Sequence, residues 1–73
     1  MITTEYDAVC RRLVEARVRK GLSQPQLANQ IGVSWRVLQN WETGKTDVPF
    51  RFVPDLCEAL DVSVHWLMFG KED

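Results

Sequence analysis

Seventy-three residues, 45% of them hydrophobic and 26% charged, are expected to form a single domain over residues 1–73, with no room for an effector-sensing second domain. The longest apolar run is too short to cross a bilayer, and Met1-Ile2-Thr3-Thr4 lacks the basic flank and apolar stretch of a secretion signal. A soluble, cytoplasmic chain is therefore expected. A net charge of −1 argues against a uniformly basic nucleic-acid binder, but the charge is segregated, running from −2 over residues 1–7 through +5 over 8–51 to −4 over 52–73.

Apolar residues recur at helical spacing and strand-like alternation is never sustained, so five helices are expected. The first runs from about Thr4 to Lys20. Thr4 and Asp7 fit a capping box, Tyr6, Val9, Cys10, Leu13 and Ala16 share one stripe, and Gly21 ends the helix. Arg17 falls on that apolar stripe, where an unpaired guanidinium is costly. It either meets a carboxylate or extends its stem over the core to reach water.

Ser23-Gln-Pro-Gln26 opens the second helix as a Ser-x-x-Gln capping box with Pro25 in the first turn. Leu27, Ala28 and Ile31 form its inner stripe. Gly32 takes the left-handed exit, Val33 tucks under the turn, and Ser34 caps the third helix, which ends before Gly44. So short a connection sets the two helices at a steep angle, the geometry of a helix-turn-helix over about residues 24–43. Lys45 to Phe52 reads as a loop containing Pro49. Val53, Leu56, Cys57 and Leu60 mark a fourth helix with Pro54 in its first turn, and Ser63 caps a fifth from Val64 to Phe69, stopped by Gly70.

On the third helix, Ser34, Val37, Leu38 and Trp41 cluster on one side, while Trp35, Arg36, Gln39, Asn40 and Thr43 point the other way. A guanidinium and two carboxamides on one free helix face can make bidentate hydrogen bonds to guanine and adenine edges. Trp35 flanks the apolar sector and either touches a thymine methyl or packs inward. Cys10, Cys57 and His65 lack the local spacing of a zinc site, so buried thiols and a surface histidine are expected, with no metal and no cofactor. Neither a carboxylate pair, a nucleophile with its base nor a phosphate loop is present, so no catalytic residue is assigned and no enzyme is expected.

The segment Gln24 to Thr43, with Leu27, Ala28, Ile31, Gly32, Val33, Leu38 and Trp41 at its apolar, alanine and glycine positions, resembles the helix-turn-helix of the lambdoid phage repressors and Cro proteins, the XRE family. The similarity extends through Trp41-Glu-Thr-Gly-Lys-Thr46 and Leu60 to Gly70. It implies an all-α, compact five-helix, lambda-repressor-like domain that binds double-stranded DNA, as a homodimer and as a Cro-type transcriptional repressor on a pseudo-palindromic operator. A bacterial or phage-infected cell is the implied setting, with no membrane partner and no small-molecule ligand.

The same resemblance implies base reading by Trp35, Arg36 and Asn40, to which Gln39 is added from the exposed face. It implies a phosphate contact by Gln24 and backbone or minor-groove contacts by Lys45 and Arg51, with Ser34 and Thr43 at the two ends of the third helix as further DNA-backbone candidates. Physics agrees for Gln24, because a helix N-terminus offers N–H groups and positive dipole to a phosphate. Arg17 and Glu42 match a partly buried ion pair joining the first helix to the end of the third. The alternative function is a protein-interaction module, an antirepressor or antitoxin-like adaptor on the same fold.

Overall fold

Three short junctions organise the chain, and each repeats one device. Gly21-Leu22-Ser23, Gly32-Val33-Ser34 and Asp61-Val62-Ser63 place a left-handed residue, then an apolar one, then a serine N-cap. In each, the apolar residue's N–H donates back to the carbonyl five residues earlier: Leu22 to Arg17 at 3.1 Å, Val33 to Ala28 at 3.0 Å and Val62 to Cys57 at 3.1 Å. This Schellman closure satisfies carbonyls the helix end would leave open and turns the apolar side chain onto the core, where Leu22, Val33 and Val62 all pack. The serine hydroxyl then accepts an N–H from the next helix's first turn.

The computed structural model describes residues 5–71, with side chains described from residue 8 onward. The helices are α1 (Glu5–Lys20), α2 (Gln24–Ile31), α3 (Trp35–Thr43), α4 (Val53–Leu60) and α5 (Val64–Phe69). No strand occurs among the described residues, and no helix there is long and apolar enough to cross a membrane. The expected Thr4–Asp7 capping box and the place of Tyr6 on the α1 stripe lie outside what is described.

One leucine from each helix forms the centre of the core: Leu13, Leu27, Leu38, Leu56 and Leu67. Each such burial is worth about 1.5–3 kcal/mol, so the five helices share one apolar centre and none packs independently. Val9, Cys10, Ala16, Ala28, Trp41, Val53, Cys57 and Leu60 complete it. Cys10 and Cys57 are buried thiols rather than a disulfide.

The structure departs from the sequence reading in three places. Residues Phe50–Phe52, expected as loop, form a 3-10 turn in which the Phe52 N–H donates to Pro49 O at 3.0 Å. Phe52 lies against Trp41, ring centroids 5.3 Å apart, and this packing gives the turn a reason to be regular. Val37, expected inside, is 37% exposed, because the buried stripe of α3 narrows to Leu38 and Trp41. At 100° per residue Val37 lies roughly 70° from the line bisecting that pair. Ser34, placed with the inner cluster on the wheel, is exposed, since its hydroxyl is spent on the Val37 N–H at 3.2 Å.

Arg12 reaches across from α1 to the end of α5. Its Nε donates to Leu67 O at 2.8 Å and its Nη2 to Met68 O at 2.9 Å. Two of the carbonyls that a helix C-terminus leaves open are thereby closed by a cation, which the helix dipole also favours.

Candidate nucleic-acid interface

The start of α2 is fixed by the expected capping box. Ser23 Oγ accepts the Gln26 N–H at 3.2 Å, and Gln26 Oε1 accepts the Ser23 N–H at 2.8 Å. Pro25 contributes no N–H, so the cap leaves the Gln24 backbone N–H as the one first-turn donor it does not use.

The Gln24 side chain sits at the middle of a network. Its Oε1 accepts from Trp35 Nε1 at 2.8 Å, and its Nε2 donates to Glu42 Oε1 at 2.8 Å. An indole only donates and a carboxylate only accepts, so a single orientation of the amide satisfies both neighbours. Trp35 and Glu42 are seven residues apart, two turns of α3, and therefore on the same side of that helix, the side turned to the start of α2. The amide keeps a second N–H, which together with the Gln24 backbone N–H can meet an anion.

Glu42 has only 3% of its side chain exposed, and Arg17 has 13%. Arg17 Nε donates to Glu42 Oε2 at 2.7 Å and Nη2 to Oε1 at 3.1 Å, while Nη1 donates to Leu22 O at 2.8 Å. The paired alternative for Arg17 is therefore the one the structure adopts. No buried side-chain N or O atom lacks a hydrogen-bond partner among the described residues, so the charges are desolvated but fully compensated. α1, the α1–α2 junction, the start of α2 and both ends of α3 are tied through this one set of contacts.

On the outward side of α3, Arg36 and Thr43 are exposed and Gln39 and Asn40 are half-buried. Thr43 Oγ1 donates to Gln39 O at 3.1 Å, so its hydroxyl proton is already spent on the helix. Trp35, left open between groove contact and packing, is 49% exposed and outside the core. Lys45 follows the left-handed Gly44, its N–H held by Asn40 O at 2.9 Å and its side chain exposed. Arg51 is exposed on the 3-10 turn, its guanidinium 5.1 Å from the Phe52 ring centroid.

The basic block seen in the sequence is thinner than its count. Arg12 and Arg17 are used inside the fold, and Arg19 pairs with Glu15 and stacks 5.8 Å over Trp66. Arg36, Lys45 and Arg51 are the exposed cations on α3 and the segment that follows it. Asp55, Glu58 and Asp61 are exposed on α4 and its end, opposite the buried stripe of Val53, Leu56, Cys57 and Leu60. Among the described residues no His, Cys, Asp and Glu group could hold a metal ion, and burial pushes the Cys57 thiol pKa up, keeping it protonated.

Sequence reasoning missed the Gln24–Trp35 bond, which spans 11 residues, and the Arg12 contacts, which span 55 and 56. A lone arginine in an amphipathic helix carries no signal for carbonyl partners so far along the chain. The Gln24–Trp35 bond had a weaker cue, since both residues start helices joined by a very short turn.

A family model described as a helix-turn-helix domain matches residues 8–66. The structure is similar to the clp gene regulator ClgR from C. glutamicum, with 27% identity, a TM-score of 0.81, and 90% of this chain and 86% of that chain covered. It is similar to SinR, the master regulator for biofilm formation, in its complex with DNA, with 33% identity, a TM-score of 0.74, and 81% of this chain and 95% of that chain covered. A hypothetical transcription factor from Neisseria, NHTF, shares the fold at 24% identity and a TM-score of 0.79, over 93% of this chain and 80% of that chain.

Proposed function

The chain belongs to the XRE-type helix-turn-helix family of DNA-binding regulators, and from that premise we propose that it is a sequence-specific transcriptional regulator that reads duplex DNA with α3 in the major groove. The observation that carries this reading is the Arg17–Glu42–Gln24–Trp35 network, which fixes the reading helix to the helix before it. A reading helix must present its side chains within a fraction of an ångström of their targets, and a locked rotamer set avoids ordering them on binding.

Trp35, Arg36, Gln39 and Asn40 then face base edges, with Arg36 matched to guanine and the two amides to adenine. Gln24, Lys45 and Arg51 hold the backbone, Gln24 through its backbone N–H and its remaining amide N–H at the positive end of α2; Ser34 adds the hydroxyl proton that its cap leaves free, and Thr43 contributes only by giving up its bond to Gln39 O. The acidic surface of α4 is directed away from DNA, so affinity follows the local field around α3 rather than the net charge. The complex of SinR with DNA supports DNA as the ligand.

The finer reading is a Cro-type repressor acting in the cytoplasm as a homodimer on a pseudo-palindrome. The two reading helices then enter one face of the duplex about 34 Å apart. Exposed Val64 and Phe69 on the short α5 support placing the dimer contact there. Selection of bound sites from random duplexes tests this directly. A recovered palindrome with a fixed half-site spacing is the expected result; enrichment of no sequence above input would overturn specific reading.

A further inference from the structure

Trp35 is the first residue of α3, the end of a reading helix whose side chains reach base edges. An indole carries one hydrogen-bond donor and no acceptor, and here that donor is spent on Gln24 Oε1 at 2.8 Å. Close to half of the residue nonetheless remains exposed, and apart from that N–H its side chain is entirely carbon. Its chain neighbours Ser34 and Arg36, and Gln39 one turn further along α3, are all polar. The contact with Gln24 keeps the ring from turning its N–H outward, because Gln24 is itself held by buried Glu42 at 2.8 Å.

The major groove offers donors, acceptors and a single apolar group, the C5-methyl of thymine. An aromatic ring without a free polar atom gains nothing from a donor or acceptor there and leaves any such group it covers without its water. Against the methyl it gains apolar burial.

We propose that Trp35 is a specificity-determining residue that selects a thymine, through its C5-methyl group, at the base pair facing the first turn of α3. This assignment rests on the duplex-reading function proposed above. It makes the chain's preference at that base pair one of shape and hydrophobicity, while Arg36, Gln39 and Asn40 read by hydrogen bonds. Gln24 acts on it as a positioning residue, occupying the indole N–H.

The test uses the full chain and a duplex recovered by selection. Each thymine is replaced in turn by deoxyuridine, which removes only the methyl, and binding is measured for the wild type, Trp35→Phe and Trp35→Gln at one salt concentration. One thymine per half-site should weaken wild-type binding about four-fold when its methyl is removed, the size expected for burying one methyl group. Trp35→Phe, which keeps an aromatic face, should retain that sensitivity, and Trp35→Gln should lose it at the same position only. A wild type indifferent to deoxyuridine at every position overturns the proposal, whatever the variants do. So does an equal response of wild type and Trp35→Gln. Failure of the wild type to bind any duplex overturns the reading of DNA itself, a separate and recognisable result.

Discussion

Replacing Arg17 by alanine strands Glu42, a carboxylate with 3% of its side chain exposed, on one remaining hydrogen bond from Gln24. The two donations from Arg17 are lost together, and water has almost no access to replace them. Breaking a buried pair in this way costs about 3–5 kcal/mol, and the 13% exposure of Arg17 places the cost near the lower end, about 3 kcal/mol. For a domain of this size that corresponds to a fall in melting temperature of roughly 12–24 °C. Glu42→Ala should cost less, since Arg17 keeps its bond to Leu22 O and has a shorter path to water. The double replacement should cost less than the sum of the two by about 1–3 kcal/mol. A thermal or urea denaturation cycle measures all three, and strictly additive single effects would refute the claim that the pair acts as a unit.

Gly32→Val should lose more than about 1 kcal/mol, because φ is +78° there and a β-branched residue adopts that conformation poorly. The converse applies at Asp61, the non-glycine residue with positive φ among those described: Asp61→Gly should gain about 0.5–1 kcal/mol in the same denaturation assay. Arg12→Ala should cost about 2 kcal/mol through its two bonds to carbonyls at the end of α5, with amide hydrogen exchange rising first in α5. Burial raises the Cys57 thiol above its ordinary 9.0, so the folded state favours the protonated form; this contribution is complete below pH 9 and is lost as pH rises through the raised value. Cys57→Ala, measured by urea denaturation, should therefore lose less stability than the wild type between neutral pH and the range above pH 9.

Much of the fold was legible because its junctions are written locally. A glycine, an apolar residue and a serine in a row announce a helix exit, a tuck under the turn and a new cap, and the expected ends of α2, α3 and α5 match those observed. Asp61 performs the glycine's role without the glycine, so the third copy of that device was visible only once its φ was known. The 3-10 turn at Phe50–Phe52 depends on Trp41, nine residues before its first residue, and no local pattern encodes it. At the interface, wheel geometry separated the inner from the outer side of α3 but overestimated the width of the inner side, which is why Val37 was misplaced. The position of Trp35 followed from a bond to another helix, and a single helix's periodicity contains no information about that.

The central claim is that α3 reads bases while Lys45 and Arg51 hold the backbone, and a salt titration of binding to a selected site and to a scrambled duplex tests it most directly. Arg36→Ala and Asn40→Ala should lose about 1–3 kcal/mol on the selected site with a smaller change on the scrambled one. Lys45→Ala and Arg51→Ala should weaken both duplexes alike and lower the slope of log affinity against log salt by about one unit for each contact removed. If the α3 variants lose affinity equally on both duplexes, α3 is not the reader; if the wild type binds neither duplex even at low salt, a protein-interaction role takes the place of DNA binding.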